Sequence, residues 1–291
     1  MTLSLAACGR SQKTAAPKES GASRPEETGA QENTAEEAAA KEEKEDTSGE
    51  EVELVVFAAA SMNETLDKII DGYKKAAPNV TITPTYDSSG TLKTQIEEGA
   101  YCDLFISAAQ KQMNQLDASK DKDSNPQGLD FVLEGTRVDL LENKVVLAVP
   151  DNNRADIQSF QDLASDKVSL LCIGNEDVPV GAYSEEILTW LGVLDSLKKD
   201  GKLTYGSNVK EVTTQVSEGT VDAGIIYATD AFSAGLTVVD QAAPEMCRQV
   251  IYPAAVLNIT EHEKEASDFL SYLQGDEAAA VFESVGFATI K

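Results

Sequence analysis

Three short strings in the first half of the chain hold the residue types that can bind an anion without a basic side chain. They are Ala58-Ala59-Ala60-Ser61, Ser88-Ser89-Gly90-Thr91 and Ile106-Ser107-Ala108-Ala109. Each falls where an apolar run gives way to a helical pattern, and none contains a bulky charged residue. Small side chains let backbone N–H groups approach a ligand. A serine at a helix start can also turn its hydroxyl toward an anion at the positive end of the helix dipole. The same residues cap helices that bind nothing, so one such turn carries little weight. Three in one half-chain bring ligand binding into contention.

Catalysis finds no comparable support. The only histidine, His262, lies in the charged string Glu261-His262-Glu263-Lys264, with no serine or cysteine motif beside it. No G-x-S-x-G, H-E-x-x-H or P-loop pattern occurs. The chain is therefore read as a binding protein and not an enzyme. Its charge narrows the partners further. With 50 acidic and 24 basic residues among 291, the net charge of −26 repels phosphate backbones, which excludes nucleic acid. The same field opposes capture of a small anion at long range, so an anion site here has to be local and built from neutral donors.

The elements that would position such donors alternate from residue 51 onward. Strand patterns at 52–58, 80–86, 103–107, 138–149, 168–173, 223–227 and 250–259 are interleaved with helical patterns. The helices are expected at 61–73, 89–98, 110–116, 183–199, 209–218, 261–274 and 277–285, and Ser61 with Glu64 reads as a capping box. This alternation predicts an α/β fold whose mostly parallel sheets are covered on both faces, with ligands held at the carboxyl ends of the strands.

The first 50 residues have a different composition. Leu5-Ala6-Ala7-Cys8 resembles the lipobox of bacterial lipoproteins, in which the cysteine is lipidated, and 1–8 is read as the remnant of a signal sequence. Residues 9–50 contain no Val, Ile, Leu, Met or aromatic residue and carry 11 acidic against 6 basic side chains. Such a stretch cannot bury a core and is expected to be a disordered acidic linker, a tether for a mobile domain with a span of roughly 35–40 Å. With Cys8 lipidated, Cys102, Cys172 and Cys247 cannot all pair. Cys172 reads as a buried core residue, and a Cys172–Cys247 disulfide stays open.

Six strings in register carry a resemblance that covers the whole folded body, from about residue 52 to 291. They are Val56-Phe57-Ala58-Ala59-Ala60-Ser61, Ser88-Ser89-Gly90-Thr91-Leu92, Asp103-Leu104-Phe105-Ile106-Ser107-Ala108, Val178-Pro179-Val180-Gly181, Asp222-Ala223-Gly224-Ile225-Ile226-Tyr227 and Tyr252-Pro253-Ala254-Ala255-Val256. The chain resembles the molybdate-binding proteins of bacterial ABC importers. The resemblance implies a two-lobe periplasmic-binding-protein type II fold, with 51–146 and 250–291 forming lobe 1, 147–249 forming lobe 2, and crossover strands joining them. It implies molybdate or tungstate as ligand, no cofactor, an ABC importer permease as partner, a monomer, and a membrane anchor through Cys8 on the outer face of the cell membrane. The implied ligand set is Ser61, Ser89 and Ala108 from the first lobe, and Val180, Val209 and Tyr227 from the second. All six would hydrogen-bond the oxyanion, and none would bind its metal directly. Two departures stand out: Val180 where the family more often has alanine, and Gly90 where another serine can stand. A site made only of donors would favour large, fully deprotonated oxyanions. The competing readings are a receptor for sulfate, phosphate or a small organic anion, and the sensory domain of a transcription regulator.

Overall fold

A computed structural model describes residues 50–290, so the readings for 1–8 and 9–49, Cys8 included, lie outside the described residues. The chain opens with β1 (Val52–Ala59), α1 (Asn63–Ala76), β2 (Val80–Asp87), α2 (Ser89–Glu97), β3 (Leu104–Ile106), α3 (Gln110–Leu116) and β4 (Val138–Asn143). It continues through β5 (Val145–Val149), β6 (Leu171–Gly174), α4 (Pro179–Trp190), α5 (Leu194–Lys199), β7 (Leu203–Gly206), α6 (Val209–Ser217), β8 (Ala223–Tyr227), α7 (Ala228–Ala234) and β9 (Thr237–Gln241). It closes with β10 (Val250–Val256), α8 (Glu263–Leu273), α9 (Asp276–Ser284) and β11 (Ala288–Thr289).

These strands form two sheets flanked by helices, ordered β11-β4-β10-β3-β1-β2 and β7-β6-β8-β5-β9. Parallel pairing is confined to strands linked through helices: β1 with β2 and β3, and β6 with β7 and β8. The strands on either side of the two crossings pair antiparallel, β10 with β3 and β4, and β5 with β8 and β9. The result is a two-lobe α/β fold in which one sheet holds strands from both ends of the described chain.

Period-two alternation explains how β1 serves two cores. Leu54 and Val56 face the cluster that contains Leu66, Ile69 and Tyr73 of α1 and Phe269 of α8. Phe57 faces the opposite cluster with Leu92 and Ile96 of α2 and Met113 and Leu116 of α3. Covering both faces of the sheet leaves the carboxyl ends of its strands as the natural opening.

Several expectations change in detail. The 138–149 run is two strands in different sheets, separated by the single residue Lys144, because a continuous apolar run carries no mark of which sheet it joins. The 183–199 helix starts earlier, at Pro179, and is broken by Gly192 in the left-handed region at φ +73°. The Ser61/Glu64 capping box does not form. Ser61 lies in a 3-10 turn, Ala60–Met62, and α1 has no side-chain cap at its start. Cys102, Cys172 and Cys247 are all free thiols, so the Cys172–Cys247 pairing is absent. Burial pushes the Cys172 thiol up to about 12 and the Cys247 thiol up to about 11.

Candidate functional site

The carboxyl ends of β1, β2, β3 and β8 converge with the starts of α2, α4 and α6 on one small cavity. Its volume is about 10 Å³, room for one water-sized sphere. From the first sheet it is walled by Ala59, Ala60, Ser61, Asp87, Ser88, Ser89 and Ala108. The second sheet contributes Val178, Pro179, Val209 and Tyr227. Five of the six residues singled out from the sequence therefore meet here. The sixth, Val180, is buried one residue further along α4 and does not itself line the wall.

Local structure explains why donors face this space. Ser88 caps α2, its Oγ accepting from Thr91 N at 3.1 Å, which places Ser89 in the first turn. Asn208 caps α6, its Oδ1 accepting from Glu211 N at 3.1 Å, which makes Val209 the first helical residue. First-turn N–H groups have no intrahelical acceptor and point out of the helix start. The Ala108 N–H is committed differently, since it donates to Ser89 Oγ at 2.9 Å. Ser61 Oγ bonds Tyr252 Oη at 2.9 Å, and Tyr252 Oη also accepts from Asn143 Nδ2 at 3.2 Å.

Tyr227 is the exception to this pairing. Its hydroxyl is fully buried and has no hydrogen-bond partner. The ring is held edge-on by Tyr183 and Tyr252, at centroid distances of 6.4 and 5.8 Å. Burial first, and the neighbouring Tyr252 second, raise its pKa well above the usual phenol value, so it remains a donor. A buried hydroxyl left unpaired costs free energy on the order of 1–3 kcal/mol, which a ligand acceptor would recover.

No lysine or arginine lines the cavity, and its one charged residue, Asp87, is engaged through one of its two oxygens. Asp87 Oδ1 accepts from Ser88 N at 2.7 Å and from Asn208 Nδ2 at 3.3 Å, the latter across the two lobes. Two further contacts cross the same boundary. Gly90 N donates to the Asp177 carbonyl at 3.0 Å, and Lys210 Nζ bonds the Glu64 carboxylate at 2.7 and 2.9 Å. Lys210 Nζ also lies 3.1 Å from Asp230 Oδ1, although neither Asp230 oxygen has a partner with hydrogen-bond geometry. Burial raises the Asp230 carboxyl to about 6, opposed by Lys210. Burial works against the charged Lys210 ammonium, but Asp230 and Glu64 outweigh it and raise its pKa.

Asp87, Asn143, Asn208 and Tyr252 were not singled out from the sequence as site residues. Asn208 had a readable signal, an Asn followed three residues later by Glu at a helix start. Tyr252 lies within one of the six strings. Asp87 and Asn143 end strands and carry no distinguishing local pattern.

A larger groove of about 1130 Å³ lies on the first sheet's side of the molecule. Its arginine, Arg137, is taken by Asp117, Asn114 and Gln110, and Asp117, Asp130, Glu134 and Asp139 outnumber the other cation, Lys120, and make its wall acidic. It is unsuited to an anion. Among the described residues no cluster of His, Cys, Asp or Glu could hold a metal ion. No helix there is long and apolar enough to cross a membrane.

Residues 54–288 match the family model of bacterial extracellular solute-binding proteins, and the chain belongs to that family. It is thus a solute-binding protein of transport and not an enzyme. The chain is 39% identical over 243 residues to a putative ABC transporter substrate-binding lipoprotein of Bacillus subtilis, covering 82% of this chain and 88% of that one. It is 32% identical over 240 residues to the molybdate-binding protein of Haemophilus influenzae, covering 81% and 89% of the two chains. Among solved structures, the substrate-binding domain of a putative molybdenum ABC transporter from Clostridium difficile aligns with a TM-score of 0.62 at 36% identity. That alignment covers 82% of this chain and all of the other.

Proposed function

We propose that this protein captures molybdate or tungstate outside the cytoplasm for an ABC importer, enclosing the oxyanion between its two lobes, with Val145 and Val146, expected in lobe 1, paired instead in the second sheet. Ser61, Ser89 and Tyr227 supply hydroxyl donors, and Val180 and Val209 supply backbone N–H groups at helix starts. Ala108 holds the Ser89 hydroxyl in place. The observation that carries this reading is the unpartnered, buried Tyr227 hydroxyl on a cavity lined by no cationic side chain. A group of this kind is stabilised by a ligand that brings an acceptor.

A dianion entering this space exchanges water for several charge-assisted hydrogen bonds, and the contacts from both lobes favour the closed arrangement. The closed shape is what the permease engages, and the receptor acts as a monomer. Calorimetry of the protein against molybdate, tungstate, sulfate and phosphate tests the assignment. Molybdate and tungstate are expected to bind tightest and phosphate weakest. Binding of none of the four would sink it.

Attachment to the membrane belongs to the same reading. Cys8 carries the lipid, and 9–50 is the tether. In cells that express the protein with a lipoprotein signal sequence ahead of Cys8, it is expected in the membrane fraction, and Cys8→Ala is expected to release it. Retention of the Cys8→Ala protein in that fraction would place the anchor elsewhere.

A further inference from the structure

Three serines line the cavity, and for two of them a backbone N–H sets the direction of hydrogen bonding. Ser88 Oγ accepts from Thr91 N, and Ser89 Oγ accepts from Ala108 N. Ser61 has no such partner, and the direction of its bond is set instead by a chain of buried side chains that begins at the crossing between the sheets.

Asn143 is the last residue of β4, and its Oδ1 accepts from Lys144 N at 2.8 Å. A backbone N–H can only donate, so this contact fixes which end of the amide is oxygen. The Nδ2 end then faces Thr229 Oγ1 at 2.9 Å and Tyr252 Oη at 3.2 Å, and it donates to both. Tyr252 Oη therefore accepts from Asn143. Its own proton is left for its other partner, Ser61 Oγ, at 2.9 Å. With that proton received, the hydrogen of Ser61 is free to point into the cavity.

We propose that Tyr252, oriented by Asn143, is a specificity-determining positioning residue that holds Ser61 as a donor and so biases the site toward oxyanions that carry no proton. The proposal rests on the oxyanion reading above. A freely rotating serine hydroxyl can either donate to an anion or accept from one, and so tolerates a ligand that bears a proton. A hydroxyl whose oxygen already receives a phenol proton keeps its own hydrogen for the ligand and has one acceptor position fewer, which biases it toward donating. The unpaired proton of a hydrogen phosphate then costs binding free energy.

The test uses two anions of similar size that differ in protonation. Sulfate and inorganic phosphate each displace molybdate from the full chain in mildly acidic buffer, and the ratio of their affinities is compared between variants. Tyr252→Phe keeps the ring and is expected to narrow the preference for sulfate by about tenfold. Asn143→Ala, which frees Tyr252 Oη to accept from Ser61, is expected to narrow it similarly and serves if Tyr252→Phe fails to fold. In a Ser61→Ala background, Tyr252→Phe is expected to change the ratio by less than about twofold, because the hydroxyl it acts through is gone. An unchanged ratio in both single variants overturns the proposal. So does an equal narrowing with and without the Ser61 hydroxyl, which would make Tyr252 a packing residue only. A parent protein that binds none of molybdate, tungstate, sulfate and phosphate overturns the oxyanion reading itself, a distinguishable result, and the relay falls with it.

Discussion

Gly90→Ala is expected to weaken anion binding by about 150-fold while leaving the unliganded protein at least as stable as the parent. A Cβ at Gly90 would stand 2.2 Å from the Asp177 carbonyl oxygen and 2.8 Å from the Asp177 Cα. Backbone atoms of the opposite lobe cannot swing aside as a side-chain tip can, so the lobes would have to part, and the Gly90 to Asp177 hydrogen bond would go with them. Overpacking of this kind costs up to about 3 kcal/mol, which converts to the stated factor. The effect on the separated lobes has the opposite sign. Gly90 sits in α2 without a positive φ, where alanine is favoured over glycine by up to about 1 kcal/mol. Thermal melting without ligand and titration with molybdate would therefore move in opposite directions. An alanine variant that binds as tightly as the parent would mean that this apposition is not the binding state.

Tyr227→Phe carries the second large effect, a loss of roughly 10- to 150-fold in affinity from removing one hydrogen bond to a charged ligand. The ring and its edge contacts to Tyr183 and Tyr252 remain. Because the hydroxyl has no partner in this structure, its removal is expected to raise the stability of the unliganded protein by about 1 kcal/mol. Melting curves with and without molybdate separate the two contributions, since only the first depends on ligand concentration. Unchanged affinity, or a destabilised unliganded variant, would remove Tyr227 from the proposed donor set.

Much of this arrangement was legible because it is local. Strand-to-helix turns rich in Ala and Ser announced β1, α2 and β3, and the string ending at Tyr227 matched β8 in full. What escaped the sequence is mostly long-range. Ser61 was read as a cap for its own helix, yet its hydroxyl is claimed by Tyr252, 191 residues away. Glu64, the expected partner in that cap, bonds Lys210 in the other lobe. Local pattern ranks only local partners, and here each residue bonds a tertiary partner instead. The short strands β7 and β9 were missed for a related reason. Both are only partly buried, so neither carries a strong apolar signal, and their neighbours in the sheet define them. Gly90 reads from the sequence as a small turn residue and a missing hydroxyl, and not as the point where the lobes meet, because the backbone it must admit belongs to a turn 87 residues further along the chain.

The passage from β4 to β5 through Lys144 alone has a consequence for how the chain tolerates changes in length. In extended backbone each added residue turns the next side chain to the opposite face. One residue inserted at Lys144 would rotate everything that follows by about half a turn about the strand axis, carrying Val145 and its partner Tyr227 with it. The helix starts of the second sheet would then face away from Ser61 and Ser89. The other link, from Gln241 to Val250, spans the eight residues 242–249 and can absorb an insertion as slack. The two connections are thus unequal: one sets the rotational phase of the halves, and the other only closes the circuit.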